Sequence, residues 1–344
     1  MRILFCDPLN TQNLFRTFVG YLRKEGIDCM VISPERLPYF LPFNNPVKYL
    51  RMLKELLDYA EGFGLIVCSG LSPMWFRFLK KPFIFYNYGS DLDQIPVQGW
   101  SGQPTKFNTV QRITHFLIKH AQASALRKAS VVVLVPYQIE AARKLGLKRL
   151  HFLPAIIDTE LFKPRDKEHE GLVFSHPTRQ VWTDRTLSDC KGNDKVFRAF
   201  ARFLTFKEAK LIAVEKGWDL EASKSLVKEL GISDHVEWIA PVSREELSKL
   251  YNKSDIVLDQ FEGGILSLIP IEAMACGTPV ISYVKEATEL FYPEMPPIIN
   301  VKTEDDILHG MLTVKPDNKG RKWVEKYCSP EAAIPKYIEL FNKY

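Results

Sequence analysis

No run of apolar residues in this sequence approaches the roughly 18 that a membrane-spanning helix needs, so no spanning helix is expected. The six cysteines (Cys6, Cys29, Cys68, Cys190, Cys276 and Cys328) include no C-x-x-C pair, which argues against a zinc or thioredoxin-type site. The seven histidines form no H-x-x-H or H-E-x-x-H pair. Asp91-Leu-Asp93 spells D-x-D but not in a convincing place, so no essential metal is expected. Zinc-finger spacing, aromatic ribonucleoprotein motifs and arginine-rich tracts are all missing, which argues against a nucleic-acid partner. No basic-then-apolar leader precedes the strand-like run Arg2–Cys6, and most cysteines sit inside apolar runs as small hydrophobes. Both points fit a cytoplasmic protein. There is no internal repeat and no low-complexity tract.

What is present is a globular composition, with 46% hydrophobic and 25% charged residues in a chain of 344. That length suits two domains of roughly 150 residues each. The net charge of +5 hides an asymmetry. Residues 1–166 hold 22 Lys+Arg against 13 Asp+Glu, and residues 167–344 hold 24 against 28. The surplus in the first half suits an anionic partner, such as a lipid-linked acceptor or a membrane surface, although solubility alone could also account for it.

Short apolar runs alternate with helix-period segments. Strands are expected at 2–6, 29–33, 65–68, 82–86 and 131–135, then at 171–174, 210–214, 235–239, 255–259 and 279–283. The polar, proline-containing stretch Phe162–Glu170 marks a linker between domains 1–165 and 166–344. Ser243 and Glu246 spell a capping box and start a helix after Pro241. The fold class is α/β, with two doubly wound Rossmann-like domains facing across a cleft. A last helix at about 330–344 is expected to pack back across them.

The most informative stretch runs from Asp255 to Ile281. It reads as a strand, a loop with Gly263 and Gly264, a helix, a stop at Gly277-Thr-Pro279, and another strand. The two glycines let backbone N–H groups come close to a ligand. Ile265, Leu266 and Ser267 lead into the helix, whose N-terminus offers unpaired N–H groups and partial positive charge, a phosphate-binding combination. Glu272 lies inside this helix, poorly placed for a phosphate but well placed to accept from two sugar hydroxyls. A buried amphipathic helix would explain the shape of the segment but not a glutamate among apolar neighbours.

Here the sequence resembles the retaining nucleotide-sugar glycosyltransferases of the GT-B fold, the family-4 type also called glycosyl transferases group 1. Their fingerprint is a pair of glutamates, the second inside E-A-M-A-x-G-x-P-V. That half stands intact as Glu272-Ala-Met-Ala-Cys-Gly-Thr-Pro-Val280. The first glutamate is replaced by Gly264, eight residues before Glu272, and Glu262 is out of register by two. A branch of the family writes D-Q-x-x-x-G here, which Asp259-Gln260 and Gly264 match. The missing carboxylate's work would then fall to backbone N–H groups, Gln260 or Glu262.

The resemblance also implies a diphosphate site. An arginine after the strand at 171–174 and the lysine of a K-G-x-D motif would bind the phosphates, which assigns Arg179 and Lys191. Twelve residues separate them, more than is usual, and the insertion carries Arg185 as an alternative to Arg179. Pro154–Pro164 looks like the P-x-x-I-D-x-x-x-F-x-P segment that ends the first domain of the family. Lys216–Asp219 and Val236–Pro241 fall where the nucleotide base would sit, with Ile239 and Pro241 beside it and Trp238 more often core. Tyr88, Ser90 and Asp91 resemble the H-G-S-D-L segment on the acceptor side, with Tyr88 in place of histidine. A strand-to-helix turn capped by Ser90 or Asp91 is the alternative there.

The resemblance implies sugar transfer from a nucleotide-sugar donor to an acceptor hydroxyl with retention, on a glycan or lipid-linked acceptor, with no cofactor. Rival readings are a non-catalytic sugar-nucleotide binding protein and a nucleotide-sugar 2-epimerase. Trp75–Lys81 and Lys106–Lys128 mix cations with aromatic and aliphatic residues. Arg112, Lys119 and Arg127 recur near one helix face, which suits peripheral membrane contact.

Overall fold

The computed structural model describes residues 1–7, 14–33, 46–87, 92, 109–135, 138–166, 170–187, 190–285, 288–289 and 291–344. The chain divides into two compact units, Met1–Leu153 with Ile334–Tyr344, and Pro154–Ala333.

The first unit runs β1 (Ile3–Cys6), α1 (Leu14–Lys24), β2 (Cys29–Ile32), α2 (Pro46–Ala60), β3 (Leu65–Cys68), α3 (Pro73–Phe76), β4 (Phe83–Tyr86), α4 (Thr109–Lys128), β5 (Val131–Leu134), α5 (Ile139–Lys144) and β6 (Leu150–Phe152). The sheet order is β2-β1-β3-β4-β5-β6, parallel throughout. β1, β3 and β5 are buried along their whole length, which is why they read as unbroken apolar runs rather than alternating ones. The strand order reverses between β1 and β3. There Ser69 Oγ donates to the buried Asp7 carboxylate at 3.4 Å.

The second unit runs β7 (Leu172–His176), α6 (Asn193–Phe203), β8 (Ala209–Val214), α7 (Leu220–Glu229), β9 (Val236–Ile239), α8 (Arg244–Lys253), β10 (Ile256–Leu258), α9 (Leu268–Ala275), β11 (Val280–Ser282), β12 (Ile299–Asn300), α10 (Glu304–Thr313) and α11 (Lys319–Tyr327), and α12 (Pro330–Phe341) begins in it and belongs to the first unit from Ile334 on. Its sheet order is β12-β11-β10-β7-β8-β9, again parallel. Helix α6 forms because Val196, Phe197, Phe200 and Phe203 fall on one face and bury against the sheet. Phe200 and Phe203 meet Phe174 of β7 edge-on, with centroids 6.0 and 5.0 Å away. Each such ring contributes roughly 1.5–3 kcal/mol by burial, so Phe200→Ala would be among the costlier single changes here. Helix α8 carries the expected capping box. Ser243 Oγ accepts from Glu246 N–H at 3.2 Å, and the Glu246 carboxylate accepts from Ser243 N–H at 2.8 Å.

The polar stretch expected to be a linker lies inside the second unit, because 154–165 is fastened there. Ser248 Oγ donates to Leu161 O at 2.7 Å, Asn252 Nδ2 donates to Lys163 O, and Asn252 Oδ1 accepts from Arg165 N–H. Phe162 is fully buried under the Arg244 guanidinium, 5.1 Å from its ring centroid. The end of α12 belongs to the first unit. Tyr337 and Phe341 pack among Phe5, Phe18 and Tyr86, and Tyr337 shares a hydrogen bond with Tyr86 at 2.8 Å.

All six cysteines are buried thiols, none in a disulfide. Among the described residues no helix is long and apolar enough to cross a membrane. On α4, Arg127 Nε donates to Leu145 O at 3.0 Å, so this cation caps α5 rather than joining a surface stripe with Arg112.

Candidate functional site

In the second sheet the chain starts at β7, moves outward to β9, and returns beside β7 at β10. The crevice past the carboxyl ends of β7 and β10 is the position where doubly wound sheets bind ligands. The loop residues 177–187 and 190–192 follow β7 and 259–267 follow β10, and these are the stretches that carry most of the sequence candidates.

One buried side chain links three points of the β7 loop and strand. Asn193, the first residue of α6, is fully buried. Its Oδ1 accepts from Val181 N–H at 2.9 Å, and its Nδ2 donates to Arg179 O at 3.1 Å and to His176 Nε2 at 2.8 Å. His176 Nδ1 in turn faces Leu258 O at 2.8 Å, which makes the ring a neutral donor-acceptor bridge between β7 and β10. Burial pushes His176 down to about 4, so it stays uncharged at neutral pH. Asn193 therefore sets both Arg179, which is exposed, and the Lys191 turn, whose backbone closes onto Val181 and Phe261 at 2.6 and 2.7 Å.

The two arginine candidates differ. Arg185 Nη2 meets both Asp194 oxygens at 2.7 and 2.6 Å, and its Nη1 is 3.8 Å from Glu262. Glu262 also takes Lys195 Nζ at 2.5 Å. Burial raises Glu262, but Lys195 and Arg185 overcome it and hold the carboxyl below its usual range. Arg185, Asp194, Glu262 and Lys195 thus form a closed ion network that braces the insertion.

Lys216–Asp219 also serves the insertion, although the sequence put it near the base. Gln180 N–H donates to Lys216 O, and Asp219 accepts from Trp182 N–H, Thr183 N–H and Thr183 Oγ1 at 2.6–3.0 Å. Trp238 is half-buried against Phe197, as core. Ile239 packs on Val173, Ile212 and Leu250, and Pro241 is exposed.

On the β10 side, Asp259 is buried and accepts from Thr178 Oγ1 at 2.6 Å and Ser267 Oγ at 2.9 Å. Burial raises its carboxyl, and Thr178, the Lys191 charge and Ser267 oppose that rise. Asp259 thereby ties the β7 loop to Ser267, which stands at the N-cap position of α9 without a side-chain cap bond. Gln260 is fully buried; its Nε2 donates to Ile265 O at 2.7 Å and Tyr283 O at 3.1 Å, while its Oε1 has no partner among the described residues. Gly263, Ile265 and Leu266 are half-buried, and Gly264 is buried with φ of 70°. Glu272, one turn into α9, is buried. Its Oε1 accepts from Arg244 Nη2 at 3.0 Å and its Oε2 from Tyr251 Oη at 3.2 Å. Burial pushes the carboxyl up to about 7, with Arg244 and Tyr251 pulling it back.

The loops that carry Arg179, Lys191, Gln260 and Ser267 therefore follow the carboxyl ends of β7 and β10. Tyr88, Ser90 and Asp91 lie outside the described residues. Sequence reading missed Asn193, His176, Asp259 and Arg244. Asn193 sits in the K-G-N-D motif, and Asp259 in D-Q, so both were within quoted motifs. Arg244 carried no signal, because its link to Glu272 spans 28 residues. No group of three or more His, Cys, Asp or Glu among the described residues could hold a metal.

Two parallel Rossmann-like units make the GT-B architecture of glycosyltransferases. Sucrose-phosphate synthase from Thermosynechococcus elongatus superimposes over 100% of this chain and 99% of its own, with TM-score 0.71 and 17% identity. The Anabaena protein HepE, solved with UDP and glucose, covers 100% of both chains at TM-score 0.65 and 15% identity. In sequence, residues 165–289 match the family of glycosyl transferases group 1. The D-inositol 3-phosphate glycosyltransferase of Mycolicibacterium smegmatis is 30% identical over 160 residues, 44% of this chain and 37% of that protein. The MMP alpha-(1->4)-mannosyltransferase of Mycolicibacterium hassiacum is 31% identical over 137 residues, 39% of this chain and 31% of that protein. The chain thus spans about a third of the length of these curated relatives.

Proposed function

We propose that the chain transfers a sugar from a nucleotide-sugar donor to an acceptor hydroxyl with retention of anomeric configuration. What supports this reading is that the loop after β7, which carries Arg179 and Lys191, and the loop after β10, which leads into α9, both follow the carboxyl ends of neighbouring strands. Breaking a glycosyl phosphate bond builds negative charge on the leaving diphosphate. Fixed cations and helix N–H groups stabilise that charge most in the transition state. Lys191 and Arg179 take this role, Asn193 positions both, and Glu272 accepts from the ribose hydroxyls with Arg244 and Tyr251 orienting it. The base lies beside Ile239 and Pro241. The leaving phosphate accepts the acceptor proton, so no separate base is assigned. The cations do the work of a divalent ion, and activity in excess EDTA follows.

The acceptor is anionic in this reading. The two relatives' names include an inositol 3-phosphate enzyme, and the first half of this chain carries the surplus of cations. Tyr88, Ser90 and Asp91 remain the acceptor-side proposal. The protein is cytoplasmic, with peripheral membrane contact through the first unit, where Phe78, Ile113, Phe116 and Leu117 are exposed.

A thermal-shift panel of UDP, GDP, ADP and dTDP, each with its glycosyl ester, tests the donor site. A nucleotide at about 100 times its Kd adds about 2.7 kcal/mol of stability. If none of them shifts the melting curve, the reading fails. Binding without donor hydrolysis or transfer would favour a non-catalytic binding protein instead.

A further inference from the structure

We propose that Asp259 is a positioning residue for the donor diphosphate: its buried carboxylate holds the loop after β7 and the start of α9 at one fixed separation, without touching the donor itself. This rests on the donor-site reading above and adds the part that sets the site's geometry.

The stretch that leads into α9 has little backbone bonding to hold it. From Gly263 to Ile269 no backbone N–H makes a hydrogen bond among the described residues. The stretch is fastened from outside instead. Lys285 N–H donates to Gly264 O at 3.1 Å, and Gln260 Nε2 donates to Ile265 O at 2.7 Å. Ser267 Oγ donates to Asp259 Oδ2 at 2.9 Å. The local sequence explains why this hydroxyl turns to Asp259. At the N-cap positions of α8 and α10, Ser243 and Thr303 accept from the N–H three residues on, at Glu246 and Asp306. Three residues after Ser267 stands Pro270, which has no N–H, so that bond is closed to the Ser267 hydroxyl.

The other oxygen of Asp259 serves the other loop. Oδ1 accepts from Thr178 Oγ1 at 2.6 Å. Thr178 directly precedes Arg179, whose carbonyl accepts from Asn193 at 3.1 Å. Thr178 and Asp259 are 2% and 1% exposed, so water does not compete for these bonds. Asp259 is itself anchored, its N–H donating to Ile281 O of the neighbouring strand at 3.2 Å. One carboxylate with an oxygen on each loop is a tether in series, running Thr178, Asp259, Ser267. A diphosphate that takes groups from both loops must find both in place at once, and a displacement of about 1 Å can cost about 100-fold.

The experiment is calorimetric titration with nucleoside diphosphates and their matching monophosphates, UDP and UMP, GDP and GMP, ADP and AMP, dTDP and dTMP, beside thermal melting of each variant. Wild type should prefer the diphosphate of the recognised base over its monophosphate. Thr178→Val and Ser267→Ala should each cut that preference about tenfold. The double variant should cut it no further, because a tether severed once is already severed. Asp259→Ala should match the double variant. Asp259→Asn should keep the preference within about threefold, since its amide can accept from Thr178 and donate to Ser267 Oγ. A purely structural role would lower the melting temperature and leave the diphosphate-to-monophosphate ratio alone. Losses that add in the double variant overturn the inference, and so do single variants with the wild-type ratio or an Asp259→Asn as damaging as Asp259→Ala. If Asp259→Ala does not fold, the Thr178 and Ser267 variants decide alone. If wild type binds diphosphates and only the variant pattern fails, the donor site stands without this tether. If no nucleotide binds, both readings fall.

Discussion

Arg244 and Glu272 are joined across 28 residues by one hydrogen-bonded ion pair of 3.0 Å, between the first turn of α8 and the middle of α9. Tyr251, two turns further along α8, holds the other carboxylate oxygen. The carboxylate that the fingerprint offers to a ligand is thus aimed by residues outside the fingerprint. If ribose hydroxyls donate to Glu272, the ionised form is the binding form. Burial raises this carboxyl to about 7, so nucleotide affinity should climb as pH rises through about 7. Linkage gives the opposite sign for stability. The folded state holds the proton more tightly than the unfolded chain, so this group's contribution falls as pH rises through the same value. Glu272→Gln should flatten both slopes and weaken nucleotide binding about 10- to 100-fold, the range for a hydrogen bond to a charged group. Titration calorimetry from pH 5.5 to 8.5, about three units, covers the window. A slope unchanged in the variant would remove Glu272 from the binding site.

Lys191 and Arg185 separate chemistry from bracing. Lys191→Ala should lower kcat by about 10²- to 10³-fold with little change in donor KM, because it meets charge that grows during cleavage. Arg185→Ala opens the network with Asp194 and Glu262 and should lower the melting temperature. Its ion pair is part-exposed, so the loss is modest. Steady-state kinetics beside calorimetric melting would distinguish the two. A Lys191 variant that loses KM and kcat in equal small measure would contradict the assignment.

Gly217→Ala tests the loop frame. Gly217 has φ of 122°, and an added Cβ would overlap the backbone of Gln180. Gln180 N–H bonds to Lys216 O and its carbonyl accepts from Asp219 N–H, so no relaxation leaves that pair intact. The variant should lose more than about 1 kcal/mol. A lower denaturation midpoint at unchanged slope would show it. A midpoint equal to wild type would mean the loop can yield there.

The sequence made most of both sheets legible, because central parallel strands buried on two faces are unbroken apolar runs. Each of the ten strands expected from such runs is present, whereas β6 and β12 were missed. Both are edge strands of three and two residues, too short and too exposed for periodicity to register. Part of the site was legible for a different reason. Glu272, Lys191 and Gly264 lie in contiguous motifs, whereas Arg244, His176 and the Trp182–Ser223 bond act through space. The insertion after Arg179 carried only the alternative phosphate contact, Arg185. Arg185 pairs with Asp194 and Glu262, and nothing local in the sequence records that pairing.

The first unit offers a surface for the remaining test. Phe78, Ile113, Phe116 and Leu117 are 62, 57, 61 and 54% exposed. Arg77 lies over Phe78 at 4.7 Å and bonds to Ala121 O at 3.3 Å, which joins the segment after α3 to α4. Arg112 is exposed on the same helix, and His120 packs on Phe116 at 4.1 Å. Large apolar side chains rimmed by cations suit the boundary of an anionic bilayer, where each cation near the surface contributes about 1 kcal/mol. Arg127 is spent on Leu145 O, so the relevant cations are Arg77, Lys80 and Arg112. The protein should sediment with phosphatidylserine vesicles at low salt and release as salt rises, since the Debye length shrinks to about 3 Å at 1 M. Phe116→Ser with Leu117→Ser should abolish the salt-resistant part, and Arg112→Gln the salt-sensitive part. Sedimentation indifferent to vesicle charge, or unchanged in the double serine variant, would leave a soluble acceptor as the better reading.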